Sequence, residues 1–69
     1  MKTNEYILSD EDWMIKFVVY ISDNNICSID TLERSVANPV WSPGKSHMNR
    51  YEARAVWTTK IAAGYKRIQ

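Results

Sequence analysis

Few side chains in this sequence are equipped for chemistry, and they are scattered. His47 is the one histidine and Cys27 the one cysteine among 69 residues, so a zinc site and a Cys-His nucleophile pair each lack the second member they need. Asp10, Glu11 and Asp12 stand together, but acids at the start of an element satisfy backbone N–H groups as readily as they move protons. Gly44 and Gly64 are too far apart to form a phosphate-cradling loop. What remains is positive charge. Residues 45–69 hold Lys45, Arg50, Arg54, Lys60, Lys66 and Arg67 against Glu52 alone, whereas residues 1–44 hold three basic and seven acidic side chains. The two parts carry +5 and −4 within a net charge of +1, which points to a positive end facing a polyanion. Phosphate binding is therefore the expected chemistry. No catalytic residue, metal, cofactor, membrane contact or small-molecule substrate is expected.

The elements that carry these residues have to come from one small domain. A chain of 69 residues sits near the size at which an apolar core alone supports a fold. Its 45% hydrophobic and 12% aromatic content is too high for intrinsic disorder. A lone cysteine, no basic-then-apolar leader and no long apolar run lead to the expectation of a soluble, cytoplasmic protein.

Glu5–Leu8 reads as a short strand or extended lead-in. Ser9 with Asp10, Glu11 and Asp12 reads as a helix start, and Trp13, Phe17 and Ile21 recur at a four-residue spacing. The β-branched and aromatic run Phe17–Ile21 fits a strand as well; the cap and the length favour a helix. Asp23, Asn24 and Asn25 end it, since all three turn or adopt left-handed conformations. Ser28 reads as the cap of a second helix with Ile29, Leu32 and Val36 on one face, closed by Asn38 before Pro39. Val40-Trp41 and Ser46–Met48 read as strands of a hairpin around Ser42-Pro43-Gly44-Lys45, with Gly44 supplying positive φ. Asn49 and Glu52 have the spacing of a capping box for a third helix, along which Ala53, Val56, Trp57, Ile61 and Ile68 form a stripe. Gly64 marks its end, leaving a basic tail over 66–69. Trp13 and Trp57 are expected in the core, and Trp41 is left open between core and surface. The expected fold is α+β, a single winged-helix domain over 1–69 with two to three helices and a short β-hairpin wing.

Three blocks of the chain resemble the small phage excisionases, recombination directionality factors with a reduced winged-helix fold. Tyr6-Ile7-Leu8-Ser9 with Glu11-Asp12-Trp13 is similar to that family's strand and first helix. Ser28–Val36 is similar to its recognition helix, and Pro39-Val40, Gly44-Lys45 and Ala55-Val56-Trp57 to its wing and return element. The resemblance implies a protein that binds and bends attachment-site double-stranded DNA and biases integrase towards prophage excision, with integrase and further copies of itself on DNA as partners. It implies DNA contacts by Ser28, Asp30, Thr31 and Arg34 on the helix and Lys45 on the wing. Ser46 and His47 belong to that wing, and Arg50, Arg54 and Lys60 would add phosphate contacts, with Thr31 and Arg34 reaching base edges. The chain departs from the family at Glu33 and Ala37, where basic residues are expected, and in a longer connector over 20–26. Asp12–Phe17 and Cys27–Arg34 also resemble the first half of the haemolysin-expression-modulating family, all-helical partners of a nucleoid-structuring protein, although Pro43-Gly44 favours a hairpin where that family has helix. A third expectation is a phage-encoded inhibitor of a host protein, with Glu5 and Asp10–Asp12 as its working surface.

Overall fold

A computed structural model describes residues 1–69 as one antiparallel sheet backed by one helix. The chain makes β1 (Lys2–Ser9), β2 (Trp13–Ser22), β3 (Asn25–Ser35), β4 (Ser42–Pro43), α1 (Arg50–Ala62) and β5 (Lys66–Arg67), and the sheet order is β4-β3-β2-β1-β5. This overturns the winged-helix expectation. Two of the three expected helices are strands, there is no Pro-Gly hairpin wing, and the all-helical alternative is excluded with it.

The first expected helix is the central strand. In β2, Ile15, Phe17 and Val19 point to the helix side while Met14 and Val18 are buried on the other. A strand covered on both faces reads as a continuous apolar run, and its β-branched and aromatic residues suit a pleated surface. The apparent cap chemistry is real but closes a turn. Asp10 Oδ1 accepts the N–H of Asp12 (2.8 Å) and of Trp13 (2.7 Å), and Asp10 N–H donates to the Trp13 carbonyl (3.0 Å), joining β1 to β2. Such side-chain-to-backbone bonds serve turns and helix starts alike. Trp13 begins β2 at 53% exposure and is not a core residue.

The second expected helix is β3. Ser22 pairs with Asn25, so Asp23 and Asn24 are the two central residues of a hairpin, with φ of 51° and 63°. Two positive φ values are what a two-residue type I′ turn requires. The left-handed tendency expected of these residues is present, and it reverses the chain between strands. Thr31 lies opposite Phe17 and Ile29 opposite Val19, placing both on the helix side, while Ser28, Asp30, Leu32 and Arg34 alternate to the other. The register slips between Tyr20 and Ile21, leaving Cys27 as the extra, exposed residue of a bulge.

The Pro-Gly segment runs antiparallel along the outer edge of β3. Leu32 pairs with Pro43, Gly44 N–H donates to the Thr31 carbonyl (2.8 Å), Thr31 N–H donates to the Lys45 carbonyl (2.7 Å), and Ile29 and Met48 exchange bonds of 2.9 Å. Gly44 is not among the residues of positive φ. Its missing side chain matters because a Cβ there would lie 2.5 Å from Thr31 Oγ1.

The third helix forms as read. Asn49 Oδ1 accepts the Glu52 N–H (2.9 Å) and Glu52 Oε1 accepts the Asn49 N–H (3.3 Å), and Gly64 follows the C-cap at φ 101°. Ala53 is buried, and Val56 and Trp57 pack on the core of Leu8, Ile15, Phe17, Val19, Ile29 and Met48. The Trp57 ring stands 5.3 Å from Phe17 and edge-on to Tyr6 at 6.4 Å, so Trp57 is the tryptophan that joins helix to sheet. Ile61 is exposed. The basic tail is partly ordered as β5, with Arg67 opposite Leu8. No helix is long and apolar enough to cross a membrane.

Candidate nucleic-acid interface

The sheet sorts the charged side chains by residue parity. The helix-free face carries Lys16, Arg34, Glu5 and Asp30, each with a partner within the chain, Asp30 accepting the His47 N–H. Lys16 Nζ is 3.8 Å from Glu5. Arg34 spreads its guanidinium over the carbonyls of Ser35, Val36 and Asn38 at 3.1–3.4 Å, fixing the turn after β3. The Trp41 ring lies against both cations, 4.6 Å from Lys16 Nζ and 5.1 Å from Arg34 Cζ, which places this half-buried tryptophan over the face that α1 leaves open. Arg34 is thus committed inside the molecule.

The helix side is different. Arg50 and Arg54 lie one turn apart on the flank of α1 that faces β1, and Lys60 is on the flank that faces Glu33. Lys45 flanks the same hollow as Lys60, and Arg67 lies over the Tyr6 ring at 5.2 Å. Three acids come to this side, and each is engaged: Glu52 in the capping box, Glu33 at 3.8 Å from Lys60 Nζ, and, near Lys60 and Tyr65 at the end of α1, Asp10, whose carboxyl accepts the Asp12 and Trp13 N–H groups. Lys45, Arg50, Arg54 and Arg67 have no carboxylate within ion-pairing distance. Between the two flanks the exposed ridge of the helix carries Tyr51, Ala55, Thr58 and Ala62, small or flat side chains over which another surface can approach closely. The hollow beside Arg50 and Arg54 encloses about 300 Å³ over an apolar floor of Tyr6, Phe17, Val19 and Ile26.

Of the residues read as DNA contacts, the fold brings Lys45, Arg50, Arg54 and Lys60 to one side. It sends Ser28, Asp30 and Arg34 to the other, since even-numbered residues of β3 point away from α1. Thr31 is 4% exposed; its hydroxyl accepts the Lys45 N–H (2.8 Å) and donates to the Lys45 carbonyl (3.4 Å). Ser46 and His47 are exposed at the β3 edge, with His47 N–H held by Asp30 Oδ1 at 2.9 Å. A helix over 28–36 would have aligned Arg34 with the basic loop; as a strand that stretch separates Arg34 from Lys45 across the thickness of the sheet. Arg67 escaped the sequence reading because its place beside Tyr6 depends on β1–β5 pairing.

Two groups titrate away from their ordinary values. The Trp13 and Asp12 N–H groups hold the Asp10 carboxyl below the usual carboxylate range, with a further contribution from Lys60. Burial, with Asp10 and Glu33 nearby, pushes the Tyr65 hydroxyl up. No group of three or more His, Cys, Asp or Glu side chains gathers to hold a metal. No protein-family model, curated protein or solved structure matches the chain.

Proposed function

We propose that this chain is a non-catalytic, cytoplasmic DNA-binding protein that meets the phosphates of double-stranded DNA with its helix side. The observation that carries the reading is the group of cations there: Lys45, Arg50, Arg54 and Arg67 without a carboxylate partner, joined by Lys60, on a side whose acids, Glu33, Glu52 and Asp10, are internally engaged. A 13-residue helix is about 20 Å long, and a major groove about 12 Å wide admits one. The small residues on the ridge of α1 let it approach, with Arg50 and Arg54 reaching one strand and Lys45 and Lys60 the other. The resemblance to excisionases supplies no support for this reading, because its recognition block is a strand that turns Ser28, Asp30 and Arg34 to the other face and buries Thr31; the attachment-site and integrase roles are not part of the proposal.

Binding of the full chain to a fluorescent duplex of mixed sequence, followed by anisotropy across a salt series, tests this. Five phosphate contacts predict a slope of log K against log salt of about −4.5, and Arg50→Ala with Arg54→Ala should reduce its magnitude by about 2. A slope near zero, or one that the double substitution leaves unchanged, removes the proposal.

A further inference from the structure

The two edges of the sheet are finished unequally. Along β3, the outward backbone groups of Ile29 and Thr31 are all bonded to residues 44–48. Along β1, Ile7 N–H donates to the Gln69 carbonyl (2.8 Å) and Ile68 N–H to the Ile7 carbonyl (2.9 Å), and the β1–β5 pairing covers only Leu8 and Ser9 besides. Since Ile7 points its N–H and C=O away from β2, alternation along an antiparallel strand points those of Thr3 and Glu5 the same way. No strand of this chain lies beyond them. An open edge of this kind is a template for another strand.

We infer that the Lys2–Tyr6 edge of β1 pairs with the same edge of a second copy, antiparallel about a two-fold axis at Asn4. The inference stands independently of the DNA-binding proposal. Three registers present the outward groups of both copies to each other. Pairing Glu5 with Glu5 opposes like charges and calls on Ile7, which Gln69 already holds. Pairing Thr3 with Thr3 leaves Glu5 opposite Met1, outside the strand. Pairing Thr3 with the second copy's Glu5 uses every free outward group, forms four backbone hydrogen bonds, and faces Lys2 with the second copy's Tyr6 and Asn4 with Asn4. No like charges meet, and each Glu5 keeps its Lys16 at 3.8 Å. A two-fold axis perpendicular to the sheet leaves both α1 helices on one side of a continuous ten-stranded sheet, so the Arg50 and Arg54 pairs of both copies face the same way.

The register makes a specific chemical prediction. Opposed residues of a non-hydrogen-bonded pair have Cα atoms about 4.5 Å apart, within disulfide reach, whereas residues offset by two positions are roughly 7–8 Å apart, beyond it. In a Cys27→Ser background, Asn4→Cys should therefore cross-link readily under mild oxidation and Thr3→Cys should not. The contact is far smaller than a standard interface of about 1,600 Å², so sedimentation of the unmodified chain should show a concentration-dependent dimer at high micromolar levels. Thr3→Pro removes an outward donor that β1–β2 pairing does not use; it should weaken the dimer at least tenfold and leave the circular dichroism spectrum unchanged. A chain that stays at 8.1 kDa up to millimolar concentration, equal cross-linking of the two cysteine variants, or a dimer indifferent to Thr3→Pro would overturn the inference.

Discussion

Gly44→Ala probes the segment on which the shape of the molecule turns. A Cβ at position 44 would stand 2.5 Å from Thr31 Oγ1 and 3.1 Å from the Thr31 carbonyl oxygen. Thr31 has no room to yield, being 4% exposed and bonded through its hydroxyl to Lys45 N–H at 2.8 Å. Residues 43–45 must therefore move off β3, lengthening the bonds Gly44 N–H to Thr31 O (2.8 Å), Thr31 N–H to Lys45 O (2.7 Å) and Lys45 N–H to Thr31 Oγ1. At about 1 kcal/mol net for each bond, the loss is roughly 2–3 kcal/mol. In a domain of this size that lowers the thermal midpoint by roughly 10–20 °C. Thr31→Ala alone should cost about 1–2 kcal/mol for the hydroxyl, but it also removes the closest clash, so the double variant should be about 1 kcal/mol less destabilised than the sum of the singles. Thermal and urea unfolding read by tryptophan fluorescence measure all four corners. Should Gly44→Ala unfold within 2 °C of the parent, or the two changes add, the 42–48 segment does not lie on β3 as described.

Asn49→Ala removes the side-chain oxygen that accepts the Glu52 N–H and should cost about 1 kcal/mol, a fall of roughly 4–8 °C in the thermal midpoint; a fall under 2 °C would mean that α1 does not begin there. The depressed pKa of Asp10 contributes stability that is complete above the unfolded value of about 3.9 and disappears as pH falls through the lower folded value. Unfolding midpoints measured from pH 7 down to pH 2 should drop more steeply below about pH 4 for the parent than for Asp10→Asn, and superimposable acid limbs would contradict the turn geometry.

What could be read from the sequence was what is decided locally. The start of α1 at Asn49, its return bond from Glu52 and its stop at Gly64 all lie within a few residues of the groups they satisfy, so their spacing is informative. The same local chemistry misleads at Ser9-Asp10 and Ser28, because an Asp that binds N–H groups two and three residues on looks alike before a helix and inside a strand connection. What decides there is pairing at a distance, Phe17 with Thr31 and Leu8 with Ile15, which has no signature in a short window. The β-branched run Phe17–Ile21 did carry the strand signal, and a cap weighed against it. The candidate site divides along the same line: Lys45, Arg50, Arg54 and Lys60 follow from charge and one helix, whereas the inward commitment of Arg34, the position of Trp41 over Lys16 and the stacking of Arg67 on Tyr6 all depend on strand parity or edge pairing.

DNA binding as proposed requires phosphates to meet the helix side and not the open sheet face. Titrating a short mixed-sequence duplex into the isotope-labelled chain and following backbone amide shifts tests it most directly. Shifts should change at Lys45, Arg50, Arg54, Lys60 and Arg67 with Lys16, Ser28 and Asp30 unmoved. Changes confined to Lys16, Tyr20, Ser28 and Asp30, or no changes at low salt, would contradict it.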